Sequence, residues 1–334
     1  MCIFINYTLR ILKTLVDNLG VRVAKLEKNA DNVKITGNIR AAYRSYSGSA
    51  GDKKDPSGSL RSRIYLTGEV NDNWHYVGML QNEQNLTNAT GDEVTRFQRA
   101  YLDGNIGAVK LTAGRYSEDL VNGNFYSDRV DGIKLVAGKD VKLTAEYGRM
   151  ANSVATYDSK GTDPDAGKFW NIGLAGKVGK NFTLGADYIS VKDVTVKAKD
   201  TDMSVWAVKA AYAANNWNAG IDYINGDSDV AKMHNGSKNG YIVSLGYGAA
   251  KASKPGSVGV WAKYYNQPAS TFVNNTFNAQ GYSKEYGFKG YGVGVDYTVA
   301  KNMVAGIQYF DLKDKDGSTD LKRQTLWSQL IVTF

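Results

Sequence analysis

From Val33 to the last residue the chain alternates, with apolar residues at every second position and polar or small ones between them. A period of two marks β-strands with two unlike faces. The clearest units resemble one another: KDVKLTAEY (139–147), KNFTLGADY (180–188), NNWNAGIDY (215–223) and KNMVAGIQY (301–309). Each opens on a polar turn, alternates through an acid or amide on the second parity, and closes on Tyr. The turns recur about 35–45 residues apart, with one unit skipped before the last, so a strand–turn–strand element is repeated.

Filling in between these units predicts sixteen strands. The first eight are 33–45, 58–70, 73–84, 95–104, 107–117, 129–138, 140–149 and 168–179. The second eight are 181–193, 201–213, 216–226, 239–250, 256–266, 286–299, 302–313 and 321–334. Tight connections such as NDN (71–73), GKD (138–140) and AKN (300–302) alternate with longer polar loops, among them 46–57, 85–94, 118–128, 151–167, 227–238 and 267–285. That is an up-and-down antiparallel meander. Left open, it would expose two long unpaired edges; an even strand number lets the first and last strands pair and abolish both. The final run, LWSQLIVTF (326–334), is then a closing strand set against 33–45.

The strands run about 10–13 residues, the length of a tilted membrane crossing and longer than the about 5–6 residues typical of a soluble sandwich. One parity reads Val141, Leu143, Ala145, Tyr147, or Phe182, Leu184, Ala186, Tyr188, with aromatics at the ends of the apolar face. Aromatic ends of this kind form girdles at membrane interfaces, so the apolar parity is expected to face lipid. Sixteen strands leave a wide interior, and the polar parity would line it. The first 32 residues follow a different period. Leu12, Leu15, Leu19, Val23 and Leu26 recur every three or four residues among charges, which predicts an amphipathic, coiled-coil-like helix over 1–32. MCIFINYTLRIL lacks the basic start and cleavage site of an intact signal peptide.

Composition narrows the class further. Mean hydropathy is −0.38, and no apolar run approaches the roughly 20 residues of a helical span. Thirty-six Gly and 22 Tyr against 4 Pro suit long strands and tight turns. The single Cys2 excludes an internal disulfide and argues against zinc. Lys and Arg (41) exceed Asp and Glu (33), but they are scattered, and no basic block suggests nucleic acid. His75 and His234 have no evident Ser partner, DKDG (314–317) lacks the acidic ligand of a calcium loop, and Gly292 and Gly294 lie within a strand. No catalytic residue, cofactor or metal is expected.

With these features the chain resembles bacterial general porins. That resemblance implies a water-filled channel of the outer membrane, termini and short turns periplasmic and long loops extracellular. It also implies a homotrimer, contact with outer-membrane lipids, and recognition of a C-terminal aromatic strand, here ending at Phe334, by the barrel-insertion machinery. More narrowly, VRVAKLEKNADNVKITGNIRAAYRSY (21–46) after the helix resembles the stalk-to-barrel junction of OmpM-type porins, in which an S-layer-homology domain precedes the stalk. None precedes this helix, so 1–32 is read as the truncated end of a stalk and 33–334 as the barrel. Contact with peptidoglycan or another wall polymer would require that missing domain.

Inward parity places Arg40, Arg44, Arg61, Arg63 and Arg99 on neighbouring strands as one basic wall. The resemblance makes 117–128 the constriction loop, which brings Glu118, Asp119 and Asp128 opposite the arginines and sets a transverse field. Lys110, Lys134, Lys142, Lys177 and Lys209 lie near short turns and form a basic ring at the periplasmic mouth. The expected activity is passive diffusion of ions and small hydrophilic solutes. A substrate-specific channel and an outer-membrane anchor tethered through the stalk stand as alternatives.

Overall fold

The computed structural model describes residues 13–20, 32–48, 56–91, 95–150, 167–196, 199–275, 277–279, 286–316 and 321–334. Leu12, Val23, Leu26 and most of 1–32 lie outside them, as do parts of the loops 46–57, 85–94, 151–167 and 267–285 and of DKDG. Residues 13–20 form an exposed helix, α1. The strands are β1 (Val33–Gly48), β2 (Ser57–Asn71), β3 (Trp74–Asn85), β4 (Thr90–Gly91), β5 (Arg96–Ile106), β6 (Val109–Leu120), β7 (Tyr126–Ala137), β8 (Val141–Met150) and β9 (Lys168–Val178). They continue with β10 (Phe182–Val196), β11 (Lys199–Ala214), β12 (Trp217–Asn225), β13 (Asn239–Gly248), β14 (Val258–Gln267), β15 (Phe288–Ala300), β16 (Met303–Asp314) and β17 (Lys322–Thr333). A short helix, α2 (Ser228–Met233), follows β12.

Apart from the two-residue stub β4, each strand pairs antiparallel with its chain neighbours, and β1 pairs with β17. The result is a closed sixteen-stranded barrel with the expected strand order. At the seam Gly37 and Phe334 exchange backbone hydrogen bonds of 2.8 and 3.0 Å. The Phe334 ring lies over Gly37, where a Cβ would stand 2.4 Å from its Cζ. The tight turns depend on left-handed residues the sequence supplies, Gly179 at φ 66° and Asn302 at φ 65° among them.

Alternation then sorts the side chains. Val141, Leu143, Tyr147, Trp170, Ile172 and Leu174 point outward and are exposed. Outward aromatics pair across strands in two belts. Trp170–Tyr188 (5.1 Å), Trp206–Tyr223 (5.5 Å), Tyr241–Tyr264 (6.2 Å) and Tyr291–Tyr309 (6.4 Å) lie towards the long loops. Phe182–Tyr212 (5.0 Å) and Trp217–Tyr247 (4.8 Å) lie beside the short turns.

One element differs from expectation. Residues 117–128 are mostly strand: β6 runs to Leu120, β7 starts at Tyr126, and only 121–125 turn. The reason is hydrogen bonding. The segment leaves the wall, and its backbone groups, drawn away from water, are satisfied by a ladder of their own. β5 pairs with β6 only as far as Ala100↔Arg115, and β7 with β8 only as far as Val130↔Met150. Beyond that, no wall strand continues the ladder: β6 and β7 pair with each other, from Tyr116↔Val130 to Leu120↔Tyr126, and Tyr126 bridges Asn274.

Candidate pore and constriction

The arginines sit where the pleat puts them. Arg40 of β1 stands opposite Arg61 of β2, Asn38 opposite Arg63, Arg61 opposite Glu83 of β3, and Arg63 opposite Gln81. Arg44 and Trp327 are register partners across the seam, and Arg99 pairs with Met79 beside an irregularity in the β3–β5 ladder. Arg40 Nη2 lies 3.4 Å from Glu83 Oε1, and its guanidinium is 5.2 Å from the centre of the Trp327 ring. Arg63 Nε donates to Gln81 Oε1 at 2.7 Å. The Nε atoms of Arg40 and Arg61 are buried and meet no acceptor. Alternation alone points to the arginines; Glu83, which stands opposite Arg61 on β3, adds an acid to this wall that no loop supplies.

The bend of the β6–β7 hairpin begins at three glycines in register, Gly114, Gly132 and Gly148. A Cβ on Gly132 would stand 2.5 Å from the carbonyl oxygen of Tyr147, and one on Gly148 equally close to that of Asp131. Only glycine permits such backbone approach. The tip reaches across to the inward face of β12, where Asn122 and Asn124 donate their side-chain amides to the two oxygens of Asp222, at 2.8 and 2.7 Å. Gln267 donates to the Asn124 carbonyl (2.9 Å), and the amides of Val273 and Ser127 bond Phe125 O and Asn274 O (3.0 and 2.7 Å). Val121 is held at φ 54°, costly for a β-branched residue, and is buried.

The tip anchors an apolar mass inside the barrel. Leu120, Val121, Phe125 and Tyr126 pack with Ile189, Met203, Ile224 and Ile242 of the wall, with Val230 of α2, and with Phe272, Phe288 and Phe310. Asp227 caps α2 by accepting the amides of Asp229 and Val230. Asp316, in the bend after β16, accepts the Ala269 amide at 2.8 Å; burial raises its carboxyl pKa, and that amide partly offsets the shift. Among the described residues, this cluster takes no member from β17, β1, β2 or β3. The arginine arc is the inner wall it leaves uncovered.

The loop acids have partners of their own. Glu118, on β6, is 2.5 Å from Lys134 Nζ, beside the buried Glu146 that accepts the Tyr116 hydroxyl at 2.8 Å. Asp119 lies on the opposite parity from Glu118 and accepts Ser127 Oγ; Asp128 accepts the Arg129 amide at 2.7 Å. Of the mouth lysines, Lys110 pairs with Asp103 (3.0 Å) and Lys209 with Asp187 (2.6 Å), while Lys142 and Lys177 keep inward positions beside turns. Lys263 of β14 lines with Asn122, Lys209, Asp222 and Ser244 a cavity of about 410 Å³ beneath the tip. Among the described residues no group of three or more His, Cys, Asp or Glu could hold a metal.

No protein-family model matches the sequence, and no curated protein matches it. Solved structures do resemble it. A single-tryptophan variant of the porin of Rhodopseudomonas blastica is 15% identical with a TM-score of 0.55, and the match covers 90% of this chain and 100% of that one. A variant of the same porin with four charged residues changed to alanine gives the same values. A structure titled "Asymmetric conductivity of engineered proteins" is 14% identical with a TM-score of 0.54, over the same shares. The fold of this chain is that of a porin barrel.

Proposed function

We propose that the chain forms a water-filled channel in a bacterial outer membrane, through which ions and small hydrophilic solutes diffuse passively. The observation that carries this reading is a closed barrel, apolar outside, whose interior is packed on one side and lined with arginine on the other. The outward aromatic belts match the two interfaces of a membrane. Short turns and both ends of the barrel chain would face the periplasm, and the long loops the exterior. A homotrimer fits the uneven outer wall. Between the outward aromatics Tyr43 and Phe334, the outward positions of β17, β1 and β2, such as Ile39, Ala41, Leu60, Ser62, Leu330 and Val332, are small or aliphatic. Gly37, however, is already covered by Phe334 and is not free for a neighbour. The tether reading is favoured by α1, whose Leu15, Val16 and Leu19 are exposed and would suit helices of other copies.

The expected sign of selection is anionic. Glu118 is neutralised by Lys134 and Asp222 is held by two amides, while Glu83 is the carboxylate in contact with the guanidinium wall. Low-dielectric walls strengthen that imbalance where the passage is narrow. Planar-bilayer recording tests both parts. The wild type should carry linear currents and, in a salt gradient, a reversal potential favouring chloride; serine at Arg40, Arg44, Arg61, Arg63 and Arg99 should move that potential towards potassium. A barrel that inserts but does not conduct removes the channel reading.

A further inference from the structure

We propose that Arg40, Arg61 and Arg63 form a saturable subsite for a phosphate dianion, either inorganic phosphate or a phosphomonoester. The inference rests on the channel reading, because a solute would reach these groups through the lumen, but it adds a specific ligand class to it.

Like charges directly opposite across a ladder repel, and Arg40 and Arg61 are such a pair. Arg63 stands one inward position along from Arg61 on the same strand. Three guanidiniums against the single carboxylate of Glu83 give +3 − 1 = +2 at this wall. Glu83 reaches Arg40 at 3.4 Å, longer than the about 2.7–2.9 Å of a strong charge-assisted bond. The buried Nε atoms of Arg40 and Arg61 remain without acceptors. Both Nε atoms are closed off from the lumen, so a solute meets the terminal nitrogens of the guanidiniums.

The geometry is also fixed in advance. Trp327 lies beside the Arg40 guanidinium, and Gln81 orients Arg63 through its Nε, leaving the terminal nitrogens of Arg63 directed elsewhere. Planar forks held in this way suit the several oxygens of a phosphate better than one chloride ion. A phosphate dianion supplies the two negative charges that balance the wall, and several oxygens for the terminal nitrogens.

The test uses the intact protein in planar bilayers, in chloride, with inorganic phosphate or glycerol 3-phosphate added and glycerol as the uncharged control. Both phosphates should reduce the chloride current along a saturating curve, and glycerol should not. Arg61→Ser and Arg61→Lys should each raise the half-blocking concentration at least about tenfold, the loss of a charged hydrogen bond. Lys254→Ser, at a distant turn, should leave it unchanged. Unsaturated phosphate currents, or a half-blocking concentration in both Arg61 variants equal to that of the wild type, overturn the proposal. Broadening of the phosphorus resonance on titration with detergent-solubilised protein reads the subsite without conduction. If the barrel proves closed, the channel reading fails by the current, and this measurement decides the subsite separately.

Discussion

A carboxylate that accepts two side-chain amides, as Asp222 does from Asn122 and Asn124, fixes a turn more firmly than backbone contacts alone. Bonds to a charged group contribute about 1.5–3 kcal/mol each, and removing the acceptor strands both amides in a poorly hydrated place. Asp222→Ala should therefore loosen the β6–β7 tip by roughly 2–4 kcal/mol. Single-channel records of this variant should show higher mean conductance and more open-state noise; a trace as quiet as wild type would mean that the apolar packing alone holds the tip. Alternation had put Asp222 on the inward parity, in NNWNAGIDY, but parity gives a side and no partner. The same limit explains Glu118. Its inward direction was legible, whereas its bond to Lys134 depends on a ladder continuing where a loop was expected.

At the scale of elements, the hairpin bends because backbone crowds backbone along Gly114, Gly132 and Gly148. Gly132→Val should cost about 1–3 kcal/mol through overpacking. The urea midpoint should fall, while the pairing from Tyr116↔Val130 to Leu120↔Tyr126 gives no reason for the hairpin itself to dissolve. An unchanged midpoint would show that the wall yields there. Strand number, order and most boundaries were readable because each strand repeats one short pattern. The inward fold of this hairpin rested on the family resemblance alone, since NGN reads as an ordinary surface turn. The packing of Phe272 and Val273, which lie in a stretch rich in Asn, Ser and Thr, was not readable; their burial follows from contacts more than 100 residues away in sequence.

For the whole molecule, closure concentrates at one seam, where the Phe334 ring roofs Gly37. Gly37→Val would set side-chain atoms against that ring and against the Arg63 carbonyl, 2.8 Å from a Cβ there. The fraction of folded, heat-resistant barrel recovered on refolding should fall, and Gly58→Ala, where a Cβ meets nothing nearer than 3.7 Å, should refold as wild type. Equal yields for the two would show that the seam tolerates misfit. Closure itself was legible, because an even meander has only one way to hide both edges. One consequence reaches beyond the native channel. Since no wall strand pairs with β6 and β7 past the glycine row, the hairpin is a cassette hung on a finished frame and fastened at its tip by side chains such as Asp222. Its tip sequence could be exchanged to build filters of different calibre, with the register of the surrounding strands left as it stands.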